Sequence, residues 1–184
     1  MVDGGDSSDA GRLAAVVSGA VGSWELDQGG SRVEFHVKHF WGAVTVHGLF
    51  ERFSGRGSVE ADGSIAGRLE IEAASLTTKN RKRDEHLRSP DFFDVESHPQ
   101  VVVSVQGLSV GDDGTLRGTI TLEAAGRTRP VTPTVQVVEA TADTVTLRSE
   151  LVVDRTGFDM TWSPLGMAAG DARAVVTARF HRRR

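Results

Sequence analysis

Cysteine is absent from this 184-residue chain. That absence removes disulfide scaffolds, thiolate nucleophiles, iron–sulfur clusters and cysteine zinc sites, although it leaves the compartment open. No apolar run approaches the roughly 18 residues that a membrane-spanning helix requires. Positive charge is not in excess: 21 basic against 25 acidic residues leave a formal net charge of -4, so no global basic field favours nucleic acid. The Gly-x-Ser-x-Gly elbow, the P-loop, the Gly-x-Gly-x-x-Gly fingerprint and the His-Glu-x-x-His helix are also missing. With them go the commonest signatures of hydrolases, nucleotide enzymes and zinc proteases.

What is present has the texture of one folded domain. Hydrophobic residues make up 39% and charged residues 25%, which argues against wholesale disorder. A chain of this length buries about 70% of the surface its unfolded form exposes. The organisation expected is a leader at 1–21, a domain at 22–181 and a short basic tail at 182–184. Leu13 to Val21 is the nearest thing to an export signal. It is interrupted by Ser18 and Gly19 and preceded by Asp3, Asp6 and Asp9, with Arg12 the one basic residue. Positive charge belongs at that end of a signal peptide. The expectation is therefore a mobile leader outside the fold, with room for a short helix, on a cytoplasmic protein.

From Trp24 onward the hydrophobic period is two, the period of a strand with one buried face. Val33, Phe35 and Val37 alternate with Glu34, His36 and Lys38, and Val44, Val46 and Phe50 share one parity. Ile65, Leu69 and Ile71 follow, then Val101, Val103 and Val105, then Leu116, Ile120 and Leu122. Val131, Val135 and Val137, Val145, Leu147 and Leu151, and Val176, Ala178 and Phe180 complete the series. Turn signals separate them at 27–30, 61–63, 111–114 and before Pro130. Short connections imply antiparallel neighbours. A reversal at 40–43 would set Val37 against Val46, Phe35 against Gly48 and Val33 against Phe50, so that both apolar faces coincide. The fold expected is all-β: a closed antiparallel barrel of about eight strands.

Residues 78–88 break the alternation and contain good helix formers. Asn80 suits the N-cap, Ser89-Pro90 the end, and Phe92, Phe93 and Val95 form an apolar plug, giving one helical insertion near 78–95. Gly48, Gly67 and Gly118 fall mid-strand on the inward parity. Such glycines mark either bends at barrel corners or an interior left unfilled.

Candidates for chemistry are sparse. His36 and His39 sit on opposite strand faces, while His36 pairs with His47 on the outer face without a carboxylate or an orienting partner; no metal site is expected. His39 turns inward as a core histidine. Lys79, Arg81, Lys82 and Arg83 read either as a solvated face or as a contact for an anionic membrane surface. Adjacent Asp84 and Glu85 point apart and do not make an acid–base pair.

The order and spacing of several motifs resemble the YceI-like family. They are Trp24-Glu25-Leu26-Asp27, the stretch Ser31 to His39, and Val46-His47-Gly48-Leu49-Phe50-Glu51-Arg52-Phe53-Ser54-Gly55. Arg83-Asp84-Glu85-His86-Leu87-Arg88-Ser89-Pro90-Asp91-Phe92-Phe93-Asp94-Val95, Pro99 and Gly126-Arg127-Thr128-Arg129-Pro130-Val131 follow. The likeness runs from about Trp24 to Phe180. It implies a lipocalin-like barrel holding a polyisoprenoid, isoprenoid quinone or fatty-acyl or amide chain, for transport, storage or metabolism, with no cofactor. Many relatives are periplasmic, and dimers are common among them. One departure lies at Gly157-Phe158-Asp159, where the family tends to carry aspartate before the phenylalanine and glycine after it.

Parity, rather than motif, nominates the lumen: Phe35, Val37, Val46, Phe50, Leu69 and Ile71, together with Val103, Gly118, Ile120, Leu122, Leu147 and Leu151. Arg83, Asp84, His86 and Arg155 are the candidates to orient a polar head, or alternatively an ion pair or cap holding the helix to the barrel. The reading is a non-catalytic lipid-binding protein. Its competitors are a small-lipid hydrolase or isomerase built on His39 or His86, and a filled barrel that docks a partner.

Overall fold

The computed structural model describes residues 6–39, 43–111, 116–163 and 168–183. The expected reversal at 40–42, the turn at 112–114, the inward side chain of His39 and the last basic residue lie outside the described residues. Helix α1 (Asp6–Gly19) is followed by strands β1 (Gly22–Leu26), β2 (Arg32–His39), β3 (Val44–Phe50), β4 (Phe53–Val59), β5 (Ile65–Glu72) and β6 (Leu76–Thr77). Helix α2 (Arg81–Arg88) precedes β7 (Gln100–Val110), β8 (Leu116–Ala124), β9 (Arg127–Pro130), β10 (Thr134–Ala140), β11 (Thr144–Asp154) and β12 (Ala168–Arg182).

The alternation seen in the sequence is realised strand by strand, in the register that the apolar faces demanded. Val33 lies opposite Phe50, Phe35 opposite Gly48, His36 opposite His47 and Val37 opposite Val46. All pairings are antiparallel. The long β12 carries β11 along one edge, and on the other edge β2 followed by β1.

The count and the closure differ from expectation. Among the described residues twelve strands form the sheet, and its ladder is not closed. β9 bonds to β8, whereas β10 bonds to β11. These two short strands are one stretch of chain broken between Pro130 and Pro133. Pro130 still pairs with Thr121, and the Val131 N–H reaches the Ile120 carbonyl at 2.9 Å; the ladder ends before Pro133, which has no N–H to continue it.

Two of the three mid-strand glycines have reasons that parity alone does not reveal. At Gly48 a Cβ would collide with the Phe35 ring across the ladder; the glycine makes room for that aromatic, which leans on Phe50 with centroids 5.5 Å apart. Gly118 is exposed, not luminal. Its φ is 142°, and it faces the β7 bulge between Gln106 and Ser109. A Cβ would stand 2.6 Å from the Gly107 carbonyl oxygen and 2.7 Å from the Leu108 Cα. Leu116 and Ile120 on either side of it still face the cavity, but the two β7 residues opposite Gly118 occupy the space a side chain there would need.

Helix α2 forms as its caps dictate. The Asn80 side chain accepts the Arg83 N–H at 3.1 Å, and the chain leaves the helix at Ser89. Asp84 is buried and accepts hydrogen bonds from the Thr78 N–H at 2.8 Å, the Thr78 hydroxyl and the Thr77 hydroxyl. Arg88 donates to the Ala74 carbonyl at 2.9 Å and to that of Leu76. Leu87, Phe92, Phe93 and Val95 then press on a packed cluster that includes Phe50, Ile71 and Leu76. Burial by itself would raise the Asp84 pKa, but the Thr78 and Thr77 hydrogen bonds and the Arg88 charge hold it below the ordinary carboxylate value.

The leader differs too. Helix α1 is not outside the fold: Leu13 and Ala20 are buried, and Val16 and Val17 join a second cluster with Trp24, Val59 and Val145. Among the described residues no helix is long and apolar enough to cross a membrane.

Two substitutions test this account. Gly118→Leu should lower stability by about 1–3 kcal/mol, because the added side chain is strained and meets backbone, and a thermal melt reads the loss. Asp84→Asn strands buried donors and should cost about 1–3 kcal/mol at neutral pH. Asp84 has a depressed folded-state pKa, so its contribution is complete above the unfolded value and fades as pH falls through the folded one. Urea titrations of the wild type and Asp84→Asn should therefore converge in acid; a constant gap would contradict the assignment.

Candidate functional site

The interior has two unlike ends. Beneath α2 it is solid: Phe35, Phe50, Ile71 and Leu122 belong to one continuous cluster that also takes in Phe158 and Met160. Beneath α1 it is hollow, with a cavity of about 280 Å³. One wall is β4 and β5, where Val59, Ile65 and Leu69 face inward and Gly57 stands opposite Gly67. These paired glycines leave bare backbone where side chains would otherwise meet. Val103, Val105 and Leu108 of β7, with Ile120 of β8, form the next wall. Val135, Val145 and Leu147 come from β10 and β11, Trp24 and Phe180 from β1 and β12, and Leu13, Val16, Val17 and Ala20 from α1.

Polar groups are few at this surface. Arg56, Ser58, Arg68 and Ser149 border it. The two arginines are exposed and lie opposite each other on the outer face, where Arg68 pairs with Glu70 at 2.7 Å. They reach the cavity rim because the glycines beside them leave the wall thin. Among the described residues that line it there is no histidine and no carboxylate. Chemically the arrangement can sequester hydrocarbon; it does not place a general base beside a bound molecule.

The residues nominated for the lumen therefore separate. Leu69, Val103, Ile120 and Leu147 line the cavity. Phe35, Phe50, Ile71 and Leu122 fill the packed end. Val46 is buried against half-buried Val37, and Leu151 is half-buried opposite Ala174, but none of these three borders the cavity, nor does Gly118.

The polar-head candidates all sit at the packed end. Arg83 donates to the Thr78 hydroxyl at 2.7 Å and to its carbonyl at 3.0 Å, and Asp84 is held by Thr77 and Thr78 as described. His86 Nε2 lies 2.8 Å from Asp91, its ring edge-on to Trp162 at 4.3 Å. Buried Arg155 donates to the Met160 and Trp162 carbonyls at 2.6 and 3.0 Å, with its guanidinium 6.0 Å from the Phe92 ring centre. Burial lowers the Arg155 pKa, partly offset by the Asp154 charge. These contacts fasten α2 and the 3₁₀ turn Arg155–Phe158 to the sheet. Asp159 occupies a left-handed φ of 62°, a conformation glycine favours and aspartate tolerates.

His36 and His47 stack edge to face with centroids 4.5 Å apart. Burial, and then the His47 charge, lower the His36 pKa. Among the described residues no cluster of three or more potential metal ligands exists.

The wall supplied by α1 escaped the sequence reading. Its signal was nevertheless present, since Leu13, Val16, Val17 and Ala20 fall at i, i+3, i+4 and i+7, one face of a helix. Judging that segment only as a failed export signal hid the spacing.

Residues 24–179 match the model of the YceI-like domain. A UPF0312 protein of Pectobacterium atrosepticum is 32% identical over 124 residues, covering 65% of this chain and 63% of its own. Protein YceI of Escherichia coli is 30% identical over 120 residues, covering 62% of this chain and 61% of its own. The chain thus aligns with less than two thirds of the length of these curated relatives. Among solved structures, BcnA of Burkholderia cenocepacia superposes with a TM-score of 0.74 at 20% identity, over 84% of this chain and 98% of its own. A polyisoprenoid binding domain from Saccharophagus degradans gives 0.68 at 16% identity, over 87% and 98%. At such identities these superpositions establish shared architecture, while the matched segment, spanning β1 nearly to the end of β12, establishes descent: the chain belongs to the YceI-like domain family.

Proposed function

We propose that this protein binds a long apolar ligand without transforming it, in the hollow end of the barrel. A polyisoprenoid, an isoprenoid quinone tail or a fatty-acyl or amide chain suits the site, and transport, storage or supply to lipid metabolism suits the binding. The observation that carries the proposal is the cavity lining, which is almost wholly aliphatic and aromatic. Each square ångström of hydrocarbon withdrawn from water there is worth roughly 25 cal/mol. At about 280 Å³, the space lies near the lower bound of ligand pockets, roughly 300 Å³. It takes one segment of such a chain while the remainder extends outward. The polyisoprenoid binding domain of similar fold supports this ligand class.

Leu69, Val103, Ile120 and Leu147 are the nominated residues that meet the ligand in this proposal. A hydrolase or isomerase reading has less to support it, because His86, although paired with Asp91, does not border the cavity. A role for α1 in the cavity wall favours a leader that stays on the chain, in keeping with a cytoplasmic protein. Lys79, Arg81 and Lys82 stand exposed at the start of α2, with Arg81 tied to Glu85 at 2.8 Å, and could meet an anionic membrane surface.

Native mass spectrometry of purified protein, before and after organic extraction, tests the function directly. A co-purifying prenyl or acyl chain is the expected result. Leu147→Trp should fill the cavity, leave the melting temperature within a few degrees of wild type, and weaken geranylgeraniol binding by more than about tenfold. Wild-type affinity in a folded Leu147→Trp variant would mean that the ligand lies elsewhere. Replacing Lys79, Arg81 and Lys82 by glutamine should weaken sedimentation with anionic vesicles at low salt; undiminished sedimentation would return these residues to a merely solvated face.

A further inference from the structure

Helix α1 precedes the segment shared with the YceI-like family, which begins at Trp24, yet it forms part of the cavity. Leu13, Val16, Val17 and Ala20 border the hollow end. The helix supplies a wall where the sheet has none, since no ladder joins β8 to β10. Pro133 lies in the break between β9 and β10 and has no N–H with which to bridge it. Helix α1 packs on β10 and β7. There Arg12 Nη2 donates to the Val138 carbonyl at 3.3 Å, at the residue left over by the β10 bulge.

The two ends of α1 are held unequally. At its C-terminal end Arg182 donates to the carbonyls of Gly19, at 2.9 Å, and Val21. Trp24 Nε1 donates to the Ala20 carbonyl at 2.7 Å, and the Arg182 guanidinium lies 4.6 Å from the Trp24 ring centre. Toward the N-terminus, the attachments among the described residues are the exposed Arg12 bond and the buried Leu13 side chain. Among the described residues, three hydrogen bonds hold the C-terminal end, against one exposed hydrogen bond and one buried leucine toward the N-terminus.

We infer that α1 is the movable wall of the ligand site: an apolar chain enters through the seam between β8 and β10 as α1 swings about its C-terminal anchor, then lies against Leu13, Val16 and Val17. This rests on the binding function proposed above. The ligand class is an uncharged hydrocarbon end, because seam and helix face present aliphatic carbon. Association then scales with the fraction of molecules whose wall is open.

Stopped-flow binding of the neutral dye N-phenylnaphthylamine, displaced by geranylgeraniol, tests the wall. Leu13→Ser and Val16→Ser loosen the free end without touching a strand, and circular dichroism melts verify folding; if one unfolds, the other carries the comparison. Association should accelerate about tenfold in Leu13→Ser, dissociation should also quicken, and tryptic cleavage after Arg12 should speed up in parallel. Leu147→Trp should abolish dye binding with α1 in place. Wild-type association rates in the folded serine variants, beside a wild-type protein that binds dye and loses it through Leu147→Trp, would overturn the movable wall and leave the binding function standing. Absence of dye and geranylgeraniol binding in wild type and variants alike would remove both.

Discussion

The structure hangs on the backbone ladder of β12. This 15-residue strand is bonded to β11 from Thr144 to Asp154 on one side. On the other side it is bonded first to β2 and then to β1. The chain start, the chain end and the hairpin before the 3₁₀ turn are thereby held by one element. The change of partner is accommodated at the turn between β1 and β2. There Asp27 accepts the Gly29 N–H at 3.0 Å, and the Ser31 hydroxyl accepts the Arg179 N–H at 2.9 Å. Those side chains satisfy backbone groups that the ladder leaves open at the switch. Phe180, just beyond it, is placed where the cavity needs an apolar floor.

From that strand outward the interior divides its labour. The α2 end spends its polar residues on fastening: Asp84 on Thr77 and Thr78, Arg88 on two carbonyls, Arg155 on two more. The α1 end has glycine opposite glycine and a smaller apolar cluster bordering the cavity. Close packing is the normal condition of a protein interior, so an unfilled end beside a tightly tied one is a specific arrangement. The rigid end maintains the strand order that keeps the other end empty.

Period-two patterning was enough to read the strands and, for β2 and β3, the register. It succeeded there because Val33, Phe35 and Val37 share a buried face with Val46 and Phe50, and a slip by one residue would expose all of them. The capped helix was equally legible, since Asn80 and Ser89 act locally. Parity was not enough where a bulge intervened: Gly118 shares the count of Leu116 and Ile120, which do face the cavity, but the extra residue on β7, a strand away, fills the space beside it. It also could not tell the packed end from the hollow one, because Phe50 and Leu147 both point inward. Closure was over-read as well. Pro133 was visible, but only the pairing of β9 and β10 with different neighbours shows what it interrupts.

The bulged, proline-flanked β10 has a further consequence for the chain in a crowded solution. Its edge away from β11 carries backbone groups without a strand partner among the described residues, along the sequence Val135, Gln136, Val137, Val138. Such an edge is a template for adding a strand from a second molecule. Helix α1 lies over it, Arg12 occupies the Val138 carbonyl, and the prolines shorten what remains. The same helix that borders the cavity therefore also covers the free edge of β10.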